Sequence, residues 1–285
     1  MRVKKIAKIN RTNSLHWVGD GFPVSTLFSY HEEGNTISPF LLLDYAEPAI
    51  FEPSDHPKGV GQHPHRGFET VTIVYQGEVE HKDSAGHMGK VGPGDVQWMT
   101  AARGILHEEM HGRDFTRKGG TLEMIQLWVN LPAKDKMTSP RYQEILSKDI
   151  PVVKLGDDGS LIRVIAGEYA GTKGAAETFT PVNVWDVRMH EGYKIALPLQ
   201  AGFTTSLLVL QGSLLINGAE TIQTKELTLF EREGDVVSLE AKKNSVVLVL
   251  SGAPIDEPIA GHGPFVMNTR EEIDQAMADY RAGRF

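Results

Sequence analysis

The chain has 285 residues, 40% of them hydrophobic, enough to bury one large core or two of ordinary domain size. It contains no cysteine, which excludes a disulfide framework, a thiolate metal site and a cysteine nucleophile, and suits a reducing compartment. A formal charge of −8 gives no general basic footprint for nucleic acid, Met1-Arg2-Val3-Lys4-Lys5 is not followed by an apolar signal region, and no later apolar run is long enough to span a bilayer, so the expectation is a cytoplasmic protein with no direct nucleic-acid or membrane contact.

Taken in chain order, the first chemical signal is Gln62-His63-Pro64-His65-Arg66-Gly67-Phe68-Glu69-Thr70. Residues two apart on an extended strand point the same way, so His63 and His65 share a face. Val71 to Tyr75 is β-branched and aromatic, and Gln76-Gly77 ends it at a turn. Glu78 to Lys82 alternates polar and apolar residues, 84–89 reads as a loop, and Pro93-Gly94-Asp95 as a turn before a strand over Val96-Gln97-Trp98-Met99. Ile105-Leu106-His107-Glu108-Glu109 then offers a second pair on one face, His107 and Glu109. Three neutral imidazoles and a carboxylate suit a first-row divalent metal with open positions better than a closed structural zinc site. Leu122 to Val129 reads as a more buried strand, and 134–147, rich in lysine and carrying Pro140, as a linker.

After the linker the pattern returns. Placing Gly67-Phe68 on Gly202-Phe203 brings Gln76-Gly77 onto Gln211-Gly212 and, with an insertion, Gly94-Asp95-Val96 onto Gly234-Asp235-Val236, as an internal duplication would. In that alignment His63, His65 and Glu69 become Pro198, Gln200 and Thr204, and the region of His107 becomes Asn244 to Leu248, so only the first half can hold a metal. The expected fold is all-β, with two antiparallel β-barrel or jelly-roll domains. Residues 1–133 form the metal-binding domain, 134–147 the linker, and 148–285 a second domain that lacks ligands and ends in a helix. That helix covers Thr269 to Tyr280, with a Thr269/Glu272 capping box and an Ile273, Ala276, Met277, Tyr280 stripe.

His63-Pro64-His65-Arg66-Gly67-Phe68-Glu69-Thr70, His81-Lys82-Asp83-Ser84, Gly94 to Ala101, Arg103-Gly104-Ile105 and His107-Glu108-Glu109 resemble the hallmarks of the pirin family of two-domain cupins. Gly19-Asp20-Gly21-Phe22 with Pro39 to Asp44, Gln126 to Pro132, and Gly263 to Thr269 extend the likeness over most of the chain. The resemblance implies a bicupin with one divalent metal, Fe(2+) first and Ni, Mn, Cu, Co or Zn as substitutes, held by His63, His65, His107 and Glu109. It implies a quercetin 2,3-dioxygenase that takes a flavonol-like aromatic substrate and O2 and releases CO; Glu109, if it loosens from the metal, is then the natural acceptor for the substrate hydroxyl's proton and so the expected catalytic base. The other role it implies is a non-catalytic metal-binding regulator of a transcription factor or metabolic enzyme, acting on a protein partner. Two fused barrels satisfy the pairing that single cupins reach by dimerising, so a monomer is expected. Ala102 stands where relatives carry glycine, and Glu108 where they carry a small residue, facing away from the metal.

Several residues admit two readings. His107-Glu108-Glu109-Met110-His111 matches the H-E-x-x-H zinc-protease pattern, but glycines bracket it and no long helix surrounds it. Glu69, four residues after His65, competes with Glu109 as the carboxylate ligand, since strand parity allows both. Trp98 and Phe68 form an apolar wall over the metal or plain core, and Arg66 steers an anionic substrate or makes a structural ion pair. His81 lines the pocket or bonds a neighbour, His87 and His111 read as loop residues, and His190 and His262 lie far from the motif.

Overall fold

Period-two burial makes strands of most of the chain, and a computed structural model describes residues 1–11, 14–84 and 86–285. Through the first half run β1 (Ile6–Asn10), β2 (Leu15–Val18), β3 (Phe22–Ser29), β4 (Phe40–Phe51), β5 (Gly59–His65), β6 (Phe68–Gln76), β7 (Val79–Asp83), β8 (Met88–Val91), β9 (Val96–Thr100), β10 (Ile105–His111), β11 (Gly120–Asn130) and β12 (Arg141–Ile145). Then follow β13 (Val152–Lys154), β14 (Leu161–Ala166), β15 (Glu168–Tyr169), β16 (Thr172–Lys173), β17 (Val182–Met189), β18 (Lys194–Pro198), β19 (Thr204–Gln211), β20 (Ser213–Ile216), β21 (Glu220–Gln223), β22 (Leu227–Phe230), β23 (Val236–Ala241), β24 (Ser245–Gly252), β25 (Ala260–His262) and β26 (Phe265–Met267). Helices are short, α1 (Tyr30–Glu33) and α2 (Arg113–Lys118), apart from α3 (Arg270–Arg281). α3 carries the expected capping box between Thr269 and Glu272 and buries Ile273 and Ala276. No helix among the described residues is long and apolar enough to cross a membrane.

The chain forms two compact units, each a seven-stranded and a four-stranded sheet rather than one continuously bonded barrel. The first unit holds Ser14–Asn35, Phe40–Ser147 and Ile255–Phe285. Its sheets are ordered β12-β9-β6-β11-β4-β3-β2 and β5-β10-β7-β8. The second holds Thr36–Pro39 and Lys148–Pro254 together with β1, in sheets β1-β22-β19-β24-β17-β14-β13 and β18-β23-β20-β21. These units depart from a division into 1–133, 134–147 and 148–285 in four places, the first two being β1 and Thr36–Pro39, which belong to the second unit. The 134–147 segment read as a linker carries β12, which pairs with β9, and the α3 segment belongs to the unit that contains β5 and β10. β12 and β1 are the outermost strands of their sheets, beside β9 and β22, so neither of those is left as an open edge.

The duplication is visible in the ladders, because β6 and β19 each end at a Gln-Gly pair whose glycine has positive φ, 82° at Gly77 and 85° at Gly212. One part of the expected alignment is wrong. Val96 opens β9 and Val236 opens β23, and these belong to different sheets. The counterpart of the 92–95 turn is 223–226. The Gly94 amide donates to the Val74 carbonyl and the Lys225 amide to that of Val209, each at 2.7 Å. The Asp95 carboxylate accepts from the Gly92 amide and the Glu226 carboxylate from the Gln223 amide, each at 3.0 Å. His107 pairs with His63, and Pro198, the counterpart of His63, pairs with Val236. The position matching His107 is therefore Val236, not a residue within Asn244 to Leu248, most of which forms β24, the counterpart of β11.

Candidate metal centre

β5 and β10 are antiparallel neighbours with His107 opposite His63 and Ile105 opposite His65, so strand alternation turns all three imidazoles to the inside of the first unit. One ligand atom from each of His63, His65 and His107 lies within 4.8 Å of the other two. His65 and His107 are buried, whereas His63 is partly exposed. The His63 Nδ1–H donates to the Gly61 carbonyl at 2.9 Å, which leaves Nε2 with its lone pair. The His65 ring donates to the Pro264 carbonyl, while its Nδ1, like both ring nitrogens of His107, has no hydrogen-bond partner among the described residues. A buried polar atom left unpaired costs about 1–3 kcal/mol, and unpaired nitrogens on two buried rings clustered with His63 are what a bound cation relieves. Burial pushes the His65 pKa down to about 3, with repulsion from His63 adding to it, and holds His107 well below its ordinary range. Both rings are thus kept neutral, the form that ligates. The donor set fits a divalent transition metal.

Glu109 lies outside that close set but on the same inward face of β10. Its carboxyl is buried and accepts from the Thr72 hydroxyl at 3.3 Å, and Thr72 also reaches Gln126 at 2.8 Å. Burial raises the Glu109 pKa, opposed by His63 and by the Thr72 bond. Glu69, the rival carboxylate, has the opposite parity on β6 from Thr72 and binds the Thr100 hydroxyl at 2.7 Å. It faces the other side of the sheet, where burial pushes its pKa up to about 7. Trp98 pairs with Val71 on that same far side, so it is core. Phe68 does border the site, and Trp128 takes the place expected of Trp98. The rings of Phe68 and Trp128 are 4.3 Å apart, and each presents itself to the edge of His65, at 5.2 and 5.5 Å.

The chain matches the pirin family over residues 21–129 and the pirin C-terminal cupin domain over 184–285. The chain belongs to the pirin family. A Pseudomonas aeruginosa protein named as a candidate quercetin 2,3-dioxygenase is 57% identical over 99% of both chains. Human pirin is 41% identical, covering 87% of this chain and 83% of its own. A quercetin 2,3-dioxygenase structure from Acinetobacter baumannii superposes with a TM-score of 0.97 at 54% identity, covering 99% of this chain and 98% of that one.

Within this pirin-family scaffold the departures are absorbed locally. Ala102 adopts the left-handed backbone that glycine takes without strain, at φ 45°, a conformation that costs an L-residue about 1–2 kcal/mol. The turn holds because the Gly67 amide donates to the Ala102 carbonyl at 2.8 Å. Glu108 is on the outward face of β10, beside a surface groove of about 550 Å³ lined also by Lys82, Lys90 and Arg113. The zinc-protease pattern dissolves, since 105–111 is a strand. His111 is likewise part of that strand rather than a loop. It donates from Nε2 to the Gly21 carbonyl at 2.8 Å and is ringed by Phe22, Phe51 and Phe115. Met88 and Gly89, read as loop, open β8, and Ala85 lies outside the described residues. His87 pairs with Asp83 at 2.8 Å. His81 bonds Gln97 and stacks on Tyr142 with centroids 5.3 Å apart. Sequence reasoning missed Thr72, Gln126, Trp128 and Asp44, the last bound to the Thr26 hydroxyl at 2.6 Å. The signal available was a lone polar residue inside an otherwise apolar strand, as Gln126 is between Ile125 and Leu127.

Proposed function

We propose that this chain is a quercetin 2,3-dioxygenase, a cytoplasmic enzyme that cleaves a flavonol-like aromatic with O2 and releases CO, using one divalent metal, Fe(2+) by preference, held by His63, His65 and His107 with Glu109 as the fourth ligand. The observation that carries it is the clustering of ligand atoms from His63, His65 and His107, with His65 Nδ1 and both His107 ring nitrogens lacking hydrogen-bond partners among the described residues, beside a buried carboxylate. A divalent metal held there supplies Lewis acidity toward a coordinated hydroxyl and redox chemistry toward O2.

The remaining work falls to the chain itself. Glu109, desolvated and tethered by Thr72, is the base that takes the proton from the substrate hydroxyl, and its raised pKa lets it hold that proton. The Thr72–Gln126 bond keeps the carboxylate aimed. Trp128, backed by the buried Phe68, gives a flat substrate an apolar face to lie on, and the pair keeps water from the reacting ring.

The test is elemental analysis joined to an oxygen-electrode assay on quercetin after reloading with iron, in wild type and His107→Ala. O2 uptake and CO release present in wild type and absent in the variant support the enzyme. Stoichiometric metal without turnover sinks it and leaves the regulator of a partner protein as the better reading.

A further inference from the structure

The turn that carries His65 out of β5 is held by residues from the far end of the sequence. Arg66, the next residue, is buried and donates from Nη1 to the Asp279 carboxylate of α3 at 2.7 Å. Its Nε donates to the Arg103 carbonyl at 2.6 Å, and its guanidinium sits 4.5 Å over the Phe285 ring. Arg103 precedes Gly104, where a Cβ would lie 2.6 Å from that same ring, and β10 with His107 begins one residue later. One guanidinium therefore ties together the exit of the strand bearing His63 and His65 and the entry of the strand bearing His107. β26 and the residues before it complete the hold. The Arg66 amide donates to the Pro264 carbonyl at 3.3 Å, and the Val266 amide donates back to the Arg66 carbonyl at 3.0 Å. The buried Lys136 ammonium joins the Gly67 and Val266 carbonyls at 2.6 and 2.9 Å. Asp279 is further braced by Arg284 at 2.5 Å and Gln275 at 2.7 Å.

We propose that the Ile255–Phe285 arm is a positioning device for the metal ligands, acting through an Arg66–Asp279–Phe285 clamp, and that metal binding and docking of α3 reinforce each other. This rests on the metal reading above. Ligating nitrogens must be fixed to within about 0.5 Å, and strand ends are the least constrained part of a ladder, so a tie across both turns sets the spacing of His65 and His107. Such coupling is reciprocal: what the docked arm does for the metal, the metal does for the arm. Asp279 remains an anion under working conditions because Arg66, and then Arg284, hold its carboxyl well below the usual range, so the clamp is not opened by mild acid.

The experiment is a Co(II) titration followed by calorimetry and by the visible absorption of the bound ion, in wild type, Asp279→Ala, Phe285→Ala and the control Arg270→Ala, whose pair with Asp274 lies exposed on α3. The first two variants bind Co(II) about 10–100-fold more weakly and with an altered spectrum, the range for loss of a group supporting a ligand, while the control stays within a few-fold of wild type. In the unaltered protein, Co(II) slows amide exchange along α3. Wild-type affinity and spectrum in Asp279→Ala and Phe285→Ala, or α3 exchange that ignores the metal, overturns the clamp alone. A wild-type chain that takes up no Co(II) overturns the metal reading and the clamp together.

Discussion

The two units share one topology and differ in what fills it. In the first unit Gln126 lies across from Asp44 on one side and Thr72 on the other. At the same registers of the second unit Val249 lies between Trp185 and Leu207, all three part of its apolar core. His63 opposite His107 becomes Pro198 opposite Val236. The duplicated frame tolerates either interior because the ladder bonds and glycine turns that define it involve none of these side chains. The second unit buries large apolar side chains, each contributing about 1.5–3 kcal/mol, while the first gives up that gain around a layer of hydrogen-bonded polar groups. On the proposed function, stability and chemistry are divided between two copies of one design.

Four changes test that division. Replacing both His63 and His65 by alanine removes two of the three imidazole donors, and elemental analysis should find no stoichiometric metal while the second unit keeps its unfolding transition. Retained metal would relocate the site. Glu109→Gln preserves shape but removes the base, so kcat on quercetin should fall on the order of 10²–10⁴-fold with metal still bound. Trp185→Ala in the second unit should cost about 3–5 kcal/mol by denaturant unfolding and leave metal content untouched. Moving the second unit's residues into the first, as Thr72→Leu with Gln126→Val, should hold stability within about 2 kcal/mol because both bonded partners are replaced by apolar groups, yet reduce turnover through loss of the Glu109 tether. A variant of full activity would show the polar layer to be ornamental.

A last test concerns protons. His65 has a folded pKa of about 3 against 6.5 when unfolded, so the unfolded chain binds the proton the folded site refuses. The stability that this group contributes is complete above pH 6.5 and drains away as pH falls toward 3, at about 1.4 kcal/mol per pH unit. Nitrogen-detected NMR of the metal-free protein should find the His65 ring neutral at pH 5, and a midpoint near 6.5 would refute the burial argument.

Much of this was readable in the residues. The alternation of His63 with His65 and of His107 with Glu109 specified both pairs because strand parity is a local property. The Gln-Gly dipeptides marked equivalent strand ends for the same reason. The equation of Gly94-Asp95 with Gly234-Asp235 failed because that turn is defined by a carboxylate capping an amide, a role Asp95 shares with Glu226, while the left-handed position passes from Gly94 to Lys225 at φ 72°. Trp128, Thr72 and Gln126 were hidden because they reach the site from the facing sheet, where no spacing in the sequence records the approach. Arg66 looked equally suited to substrate and ion pair, and only Asp279 across 213 residues decides for the pair.

That separation also bears on how the protein is made. A ribosome adding roughly 5–20 residues per second needs on the order of 10–40 seconds to pass from Arg66 to Asp279. For most of that interval, once His107 has been added, the three histidines have been synthesised but Asp279 and Phe285 have not. On the proposed clamp, tight metal capture waits for the finished polypeptide, and a nascent chain stalled before α3 should bind Co(II) about 10–100-fold more weakly than the full chain.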